Sequence, residues 1–279
     1  MVSTGPSGSD RPAGSPSRRR LSRTFARSRW PEYGRLLKAA IGLGYQAITL
    51  ESFLDGAFEE AKGPVLILRH DVDQHAPSAL EMSDVEVALG LRSTWYLRWR
   101  TARTDVVEEL RRRGGEIGFH YETVSRAVLE GAPLPDDPDE RLRWGREALR
   151  DEIASFAARF GPIRSVAAHG DTRAPGIRNG DLMRGEEWSR YGVDYDANDA
   201  LRRHRLAAWV TDRSSAEGGW SAGDPVDLLR AGESPILCLT HPNNWVSGPA
   251  LWGDRLSASL RRVSDAPPAD GSRRSTRTG

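Results

Sequence analysis

Hydrophobic positions in this chain fall into short blocks that switch between two periods. Trp30, Tyr33, Leu36, Leu37, Ala40 and Ile41 recur at helical spacing, and Gly44 ends the run. Val65-Leu66-Ile67-Leu68 is a continuous apolar run, which suits a strand covered on both faces. It passes straight into Arg69-His70-Asp71-Val72-Asp73. Further strands are expected over 93–99, 116–122, 164–168, 191–195, 206–210 and 235–240. Helices are expected over 77–89, 105–113 and 138–160, and Trp252, Leu256 and Leu260 suggest a closing one. Leu142, Leu149, Ile153, Phe156 and Phe160 form the stripe of the longest helix, which Gly161-Pro162 stops. Strand followed by helix implies parallel strands joined by right-handed crossovers. The fold class is therefore α/β, and about seven strands favour a closed (β/α) barrel over an open sheet. No glycine-rich phosphate loop follows the first strand, which argues against a dinucleotide fold.

Composition and charge divide the chain into three. Residues 1–29 are rich in Ser, Gly, Pro and Arg, with seven arginines and one acid, and read as a disordered basic tail. Residues 265–279 read as a second disordered tail, and 30–264 as a single domain. The net charge of +1 conceals this arrangement, because 30–260 hold 28 basic and 36 acidic side chains. An acidic body does not suit a nucleic-acid enzyme, so no nucleic-acid partner is expected. No apolar run is long enough to cross a membrane. The basic start is not followed by an apolar signal core, which makes the expected location cytoplasmic. Cys238 is the sole cysteine, sits in an apolar strand and reads as a buried hydrophobe.

The chemistry lies where strands end. Five run out into Asp71 and Asp73, His120 and Glu122, His169 and Asp171, Asp212, or His241. Parallel strands in a barrel present their C-termini at one mouth, so these groups are expected to converge. Asp71 and Asp73 lie two apart and repel each other unless a cation or shared proton intervenes. One acid can then hold a metal while the other stays free as a base; the plain alternative is that one caps the next helix. His120 alone could equally be structural. Nitrogen and oxygen donors without thiolate suit a divalent metal, zinc by default, with Fe, Ni, Co or Mn also compatible. Such a centre suits hydrolysis of an amide or ester, with a carboxylate taking the water proton and a histidine protonating the leaving nitrogen. Asn243, Asn244 and Trp245 offer amides and an aromatic platform for a sugar; ordinary packing is the alternative for Trp245. His70 and His75 are expected behind the site or at the surface, and His204 in solvent.

Arg69-His70-Asp71-Val72-Asp73, Gly115-Glu116-Ile117-Gly118-Phe119-His120-Tyr121-Glu122, His169-Gly170 and Leu239-Thr240-His241-Pro242 together resemble the polysaccharide deacetylase family, the NodB-homology or carbohydrate esterase 4 type. The resemblance covers about 45–260 and points to a divergent bacterial branch. It implies a distorted seven-stranded parallel (β/α) barrel that removes acyl, chiefly acetyl, groups from sugars with a divalent metal. By position, Asp71 then looks like the catalytic base, Asp73 and His120 like metal ligands, and His241 like the general acid. Two departures stand out. Val72 separates aspartates that are adjacent in the family, and Val124 stands where a second histidine is usual. The third ligand must come from elsewhere, with His169 the first choice and Glu122 the second. Arg69, Glu122, Asp212, Asn244 and Trp245 are expected as supports or substrate contacts. The expected function is deacylation of an amide nitrogen on a glycan or small metabolite. The alternatives are another metal-dependent hydrolase or lyase on the same barrel, or a non-catalytic carbohydrate-binding homologue.

Overall fold

The computed structural model describes residues 28–212 and 219–246. The two tails beyond these bounds and the closing helix expected near Trp252 lie outside the described residues. The elements run α1 (Trp30–Gly42), β1 (Gln46–Ile48), α2 (Leu50–Ser52), β2 (Val65–Val72), α3 (Pro77–Val87), β3 (Thr94–Leu97), α4 (Thr104–Arg112) and β4 (Glu116–Tyr121). There follow α5 (Thr123–Glu130), α6 (Pro138–Phe160), β5 (Ser165–Ala168), β6 (Tyr195–Asp196), α7 (Ala197–Arg203), β7 (Ala208–Thr211), α8 (Pro225–Arg230) and β8 (Ile236–Thr240).

Every ladder is parallel, and the seven-strand path is β6-β5-β4-β3-β2-β8-β7. Short β1 shares an edge of β2 with β3, pairing Val65–Ile67 while β3 pairs Arg69–Val72. The fold is the α/β class expected, seven parallel strands curled like the distorted (β/α) barrel, with two corrections. Among the described residues no ladder joins β6 to β7, so hydrogen bonding leaves the barrel open there. A second correction concerns 191–195. Trp188–Tyr191 is a 3-10 turn, Gly192 takes a left-handed φ of 72°, and only Tyr195–Asp196 pairs as a strand.

Alternation along the strands sorts side chains into two layers. Leu66, Leu68, Val72, Trp95, Leu97, Ile117, Phe119, Val166 and Cys238 face outward into the main core, where α1, α3, α4 and α6 cover them. Asp137 accepts from the Glu140 amide to start α6, and Phe156 of that helix stacks on Phe119 at 4.7 Å. Val65, Ile67, Tyr96, Ala167 and Leu237 face inward with Leu50, Phe53 and Leu201 as the barrel's floor. His70 belongs to the outer layer and is fully buried. It bonds Glu86 at 2.7 Å and Thr240 at 2.6 Å, so it lies neither at the mouth nor at the surface.

Gly118 shapes the inner layer. Tyr96 passes beneath it, hydrogen-bonds Ser165 at 2.9 Å, and lies under the Arg69 guanidinium at 4.8 Å. A Cβ at position 118 would collide with the Tyr96 ring and stand 2.8 Å from the Ser165 carbonyl oxygen. Gly118→Ala is therefore expected to destabilise the chain by about 1–3 kcal/mol. A thermal melt lowered by several degrees checks this; an unchanged melt contradicts the close approach.

Candidate metal and catalytic site

At the mouth, the ends of β2, β4 and β5 bring Asp73, His120 and His169 together. One donor atom from each lies within 4.8 Å of the others. His120 Nε2 and His169 Nε2 each stand 3.4 Å from Asp73 Oδ1. His120 Nδ1 donates to the Ala167 carbonyl at 2.9 Å, which leaves Nε2 with its lone pair facing the cluster. His169 is held by its backbone. Its amide bonds Tyr121 O at 2.8 Å, and its carbonyl accepts from Asn179 Nδ2 at 3.0 Å. Asn179 is fully buried and its Oδ1 caps the Val124 amide at 3.1 Å, tying the His169 loop to the start of α5.

Burial holds His169 below the usual histidine range, so its imidazole is neutral at pH 7. Burial works against the charge on Asp73, but the His120 and His169 side chains beside it outweigh this and keep the carboxyl well below its usual range. Asp73 Oδ1 is buried and has no hydrogen-bond partner. Two imidazole nitrogens around an orphaned carboxylate oxygen are the donor set a divalent cation needs. Asp73 does not cap α3, whose N-cap is Ala76 without any side-chain bond.

Asp71 faces the same space from β2, with Oδ2 3.6 Å from His120 Nε2. Arg69 grips it in a fork at 2.9 and 3.0 Å and extends its third donor to Asn198 at 2.7 Å. Burial alone would raise the Asp71 pKa; the charge and hydrogen bonds of Arg69, with the charge of His241, overcome it, and the group stays ionised.

Opposite, β8 ends in His241, whose Nδ1 donates to Asp212 Oδ1 at 2.7 Å. Asp212 also accepts the His241 amide at 3.0 Å and the Trp245 indole N–H at 2.8 Å. Burial disfavours the imidazolium, but the Asp212 hydrogen bond and the charges of Asp212, Asp71 and Asp73 raise the pKa to about 9. His241 therefore carries a proton at neutral pH, with Nε2 as its second donor.

Glu122, Trp245 and Asn244 neither join the cluster nor offer an open platform. Glu122, the second choice for third ligand, lies outside the cluster and pairs with Arg98. Trp245 is only 2% exposed, packs on Tyr33 and Trp220, and anchors Asp212, so it offers no open platform for a sugar. Asn244 turns its side chain to Asn243 at 3.1 Å. Arg98, Asn179 and Asn198 were not expected from the sequence. Arg98 had a usable signal, since it ends a strand as the other site residues do; the two asparagines lie in segments without period. His204 is exposed and Cys238 is buried, as expected.

No family model and no curated protein matches the chain. Solved structures do superpose on it in part. IcaB from Ammonifex degensii is 16% identical with a TM-score of 0.38, over 56% of this chain and 71% of that one. A family 4 carbohydrate esterase from Streptomyces lividans, in complex with acetate, is 15% identical with a TM-score of 0.35, over 72% of this chain and 90% of that one. A CE4 family pseudoenzyme from Bacillus anthracis is 10% identical with a TM-score of 0.39, over 72% and 62%. The latter two carry the carbohydrate esterase 4 name. Superpositions this loose decide nothing about activity, and both an esterase and a pseudoenzyme stand among them. No helix among the described residues is long and apolar enough to cross a membrane.

Proposed function

We propose that this chain is a metal-dependent hydrolase that removes an acyl group, chiefly acetyl, from an amide nitrogen of a glycan or small polar metabolite. The observation that carries this is an ionised carboxylate, Asp71, and a protonated histidine, His241, at the ends of neighbouring strands beside a three-donor cluster. Asp73, His120 and His169 would hold the cation, zinc by donor chemistry. Such a cation, when bound, acidifies water and polarises an acyl carbonyl.

The chain's own residues do the rest. Asp71, ionised and oriented by Arg69, accepts a proton from the attacking water. The water oxygen bonds to the acyl carbon and the carbon–nitrogen bond breaks. His241 Nε2 donates the proton that lets the nitrogen leave as an amine. Asp212 holds the His241 ring and its charge. Beside His169 a cavity of about 240 Å³ opens, lined among others by Asp171, Arg178, Asp196, Asn198 and Arg202. Its polar wall suits a hydroxyl-bearing substrate, and Asn198 links it to Arg69 and thus to Asp71. Acetate release from N-acetylated amino sugars and small acetamides, abolished by a chelator and restored by zinc, tests the proposal. No release from any of them with zinc present would contradict it.

The His241 assignment makes a pH prediction. The acid must be protonated, so activity should fall as pH rises through about 9. Asp212→Asn removes the largest support of that charge, and the alkaline limb should move down by roughly one to two pH units toward the ordinary histidine value. An unmoved limb would assign it to another group. The same interaction stabilises the fold fully below the ordinary histidine pKa, and that contribution fades as pH rises through about 9.

A further inference from the structure

The geometry points to Arg98 and Glu122 as the pair that sets how tightly the mouth holds its cation, an inference that rests on the metal site proposed above. Arg98 lies just past β3 and its side chain is 3% exposed. Its Nη1 stands 3.4 Å from His169 Nε2, 3.9 Å from Asp73 Oδ1 and 3.5 Å from the Asp73 carbonyl oxygen. Its Nη2 contacts Glu122 Oε2. Two of the three proposed ligands therefore face a guanidinium whose ion-pair contact outside the cluster is Glu122, with the Asp171 and Arg173 charges acting on it from farther off.

An imidazole nitrogen has a single lone pair. An N–H of Arg98 and a divalent cation cannot both use the one on His169 Nε2. The guanidinium charge also repels a cation at so short a range. Arg100 donates to the same Asp73 carbonyl at 3.0 Å, and its charge acts on Arg98 as a like neighbour. Glu122 offsets this in two ways. It draws the Arg98 fork away from His169, and its negative charge balances the positive one. Arg98 Nε makes no hydrogen bond, so the contact with Glu122 is what fixes the fork from the far side. Glu122 is thus a positioning residue that acts through Arg98, although its place two residues after His120 makes it look like a ligand.

The test is the zinc dissociation constant of the full chain, measured by competition against a chromophoric chelator, with thermal melts confirming folding. Glu122→Gln should weaken zinc binding about tenfold or more, because Arg98 then loses its ion-pair contact outside the cluster and turns toward His169 and Asp73. Arg98→Met should tighten it about tenfold, because the competing donor and charge are gone. The double variant should bind more tightly than Glu122→Gln and lie within about threefold of Arg98→Met, since Glu122 acts through Arg98. Weaker binding in Arg98→Met would make Arg98 a scaffold for the ligands and overturn the inference. Wild-type affinity in Glu122→Gln would do the same. Failure of the wild-type chain to bind zinc at all would instead overturn the metal site itself.

Discussion

Asp71→Asn should lower turnover by roughly two to four orders of magnitude while leaving metal content at the wild-type level. The carboxylate is buried, both of its oxygens are fixed by Arg69, and it stands 3.6 Å from a proposed ligand without belonging to the three-donor cluster. Asparagine keeps the shape and loses the proton acceptor. One donor of Arg69 would then face an amide N–H₂ in a buried site, so some stability is lost as well, about 1–3 kcal/mol. Turnover per folded molecule is therefore the quantity to compare. Turnover close to wild type would remove Asp71 from the base role. Loss of metal in this variant would make Asp71 a ligand.

His241→Ala should lower turnover of an acetamide by roughly two to four orders of magnitude, and that of an aryl acetate far less. An amine cannot leave as its anion and needs the proton that His241 carries. An aryl oxide leaves without one. The contrast between the two substrates separates a proton donor from a residue that merely shapes the mouth, because a misshapen mouth would harm both. Equal losses would contradict the acid role. Trp245→Phe should produce a milder version of the same signature, because its indole fixes Asp212, which in turn holds the His241 ring.

Both effects trace to a pattern that was legible in the primary structure. The apolar run 65–68 passes into Arg69 and Asp71 without a break, and β4 and β8 do the same into His120 and His241. Parallel strands carry their polar ends to one side, so a one-dimensional pattern of strand ends becomes a three-dimensional cluster. The inward alternation of β2 then places Asp71 inside and His70 outside. Sequence proximity to Asp71 had suggested a supporting role for His70 at the site, but it builds the core beneath α1 and α3 instead.

What sequence hid was pairing between distant segments. Glu122 follows His120 at a spacing that puts both on one side of a continuing strand, and nothing local says that Arg98 claims it. Asn179 lies in a segment with no period, yet it holds the His169 carbonyl and ties it to the start of α5. Trp245 looked like an exposed platform because it sits among asparagines. Its burial depends on Tyr33, more than two hundred residues earlier, and on Trp220. Strand β6 was misplaced because its two paired residues are too few to show a period, and the preceding Tyr191-Gly192-Val193 mimics one. Helix α5 begins one residue after β4, which left no turn signal to separate it from the strand.

The most direct measurement is elemental analysis of protein purified without immobilised metal, for the wild type and for Asp73→Ala, His169→Ala and Asp71→Asn. About one divalent ion per chain is expected in the wild type and in Asp71→Asn, and close to none in Asp73→Ala and His169→Ala. Wild-type protein that takes up no metal after reconstitution, or a His169→Ala variant that holds it as the wild type does, would contradict the Asp73–His120–His169 site.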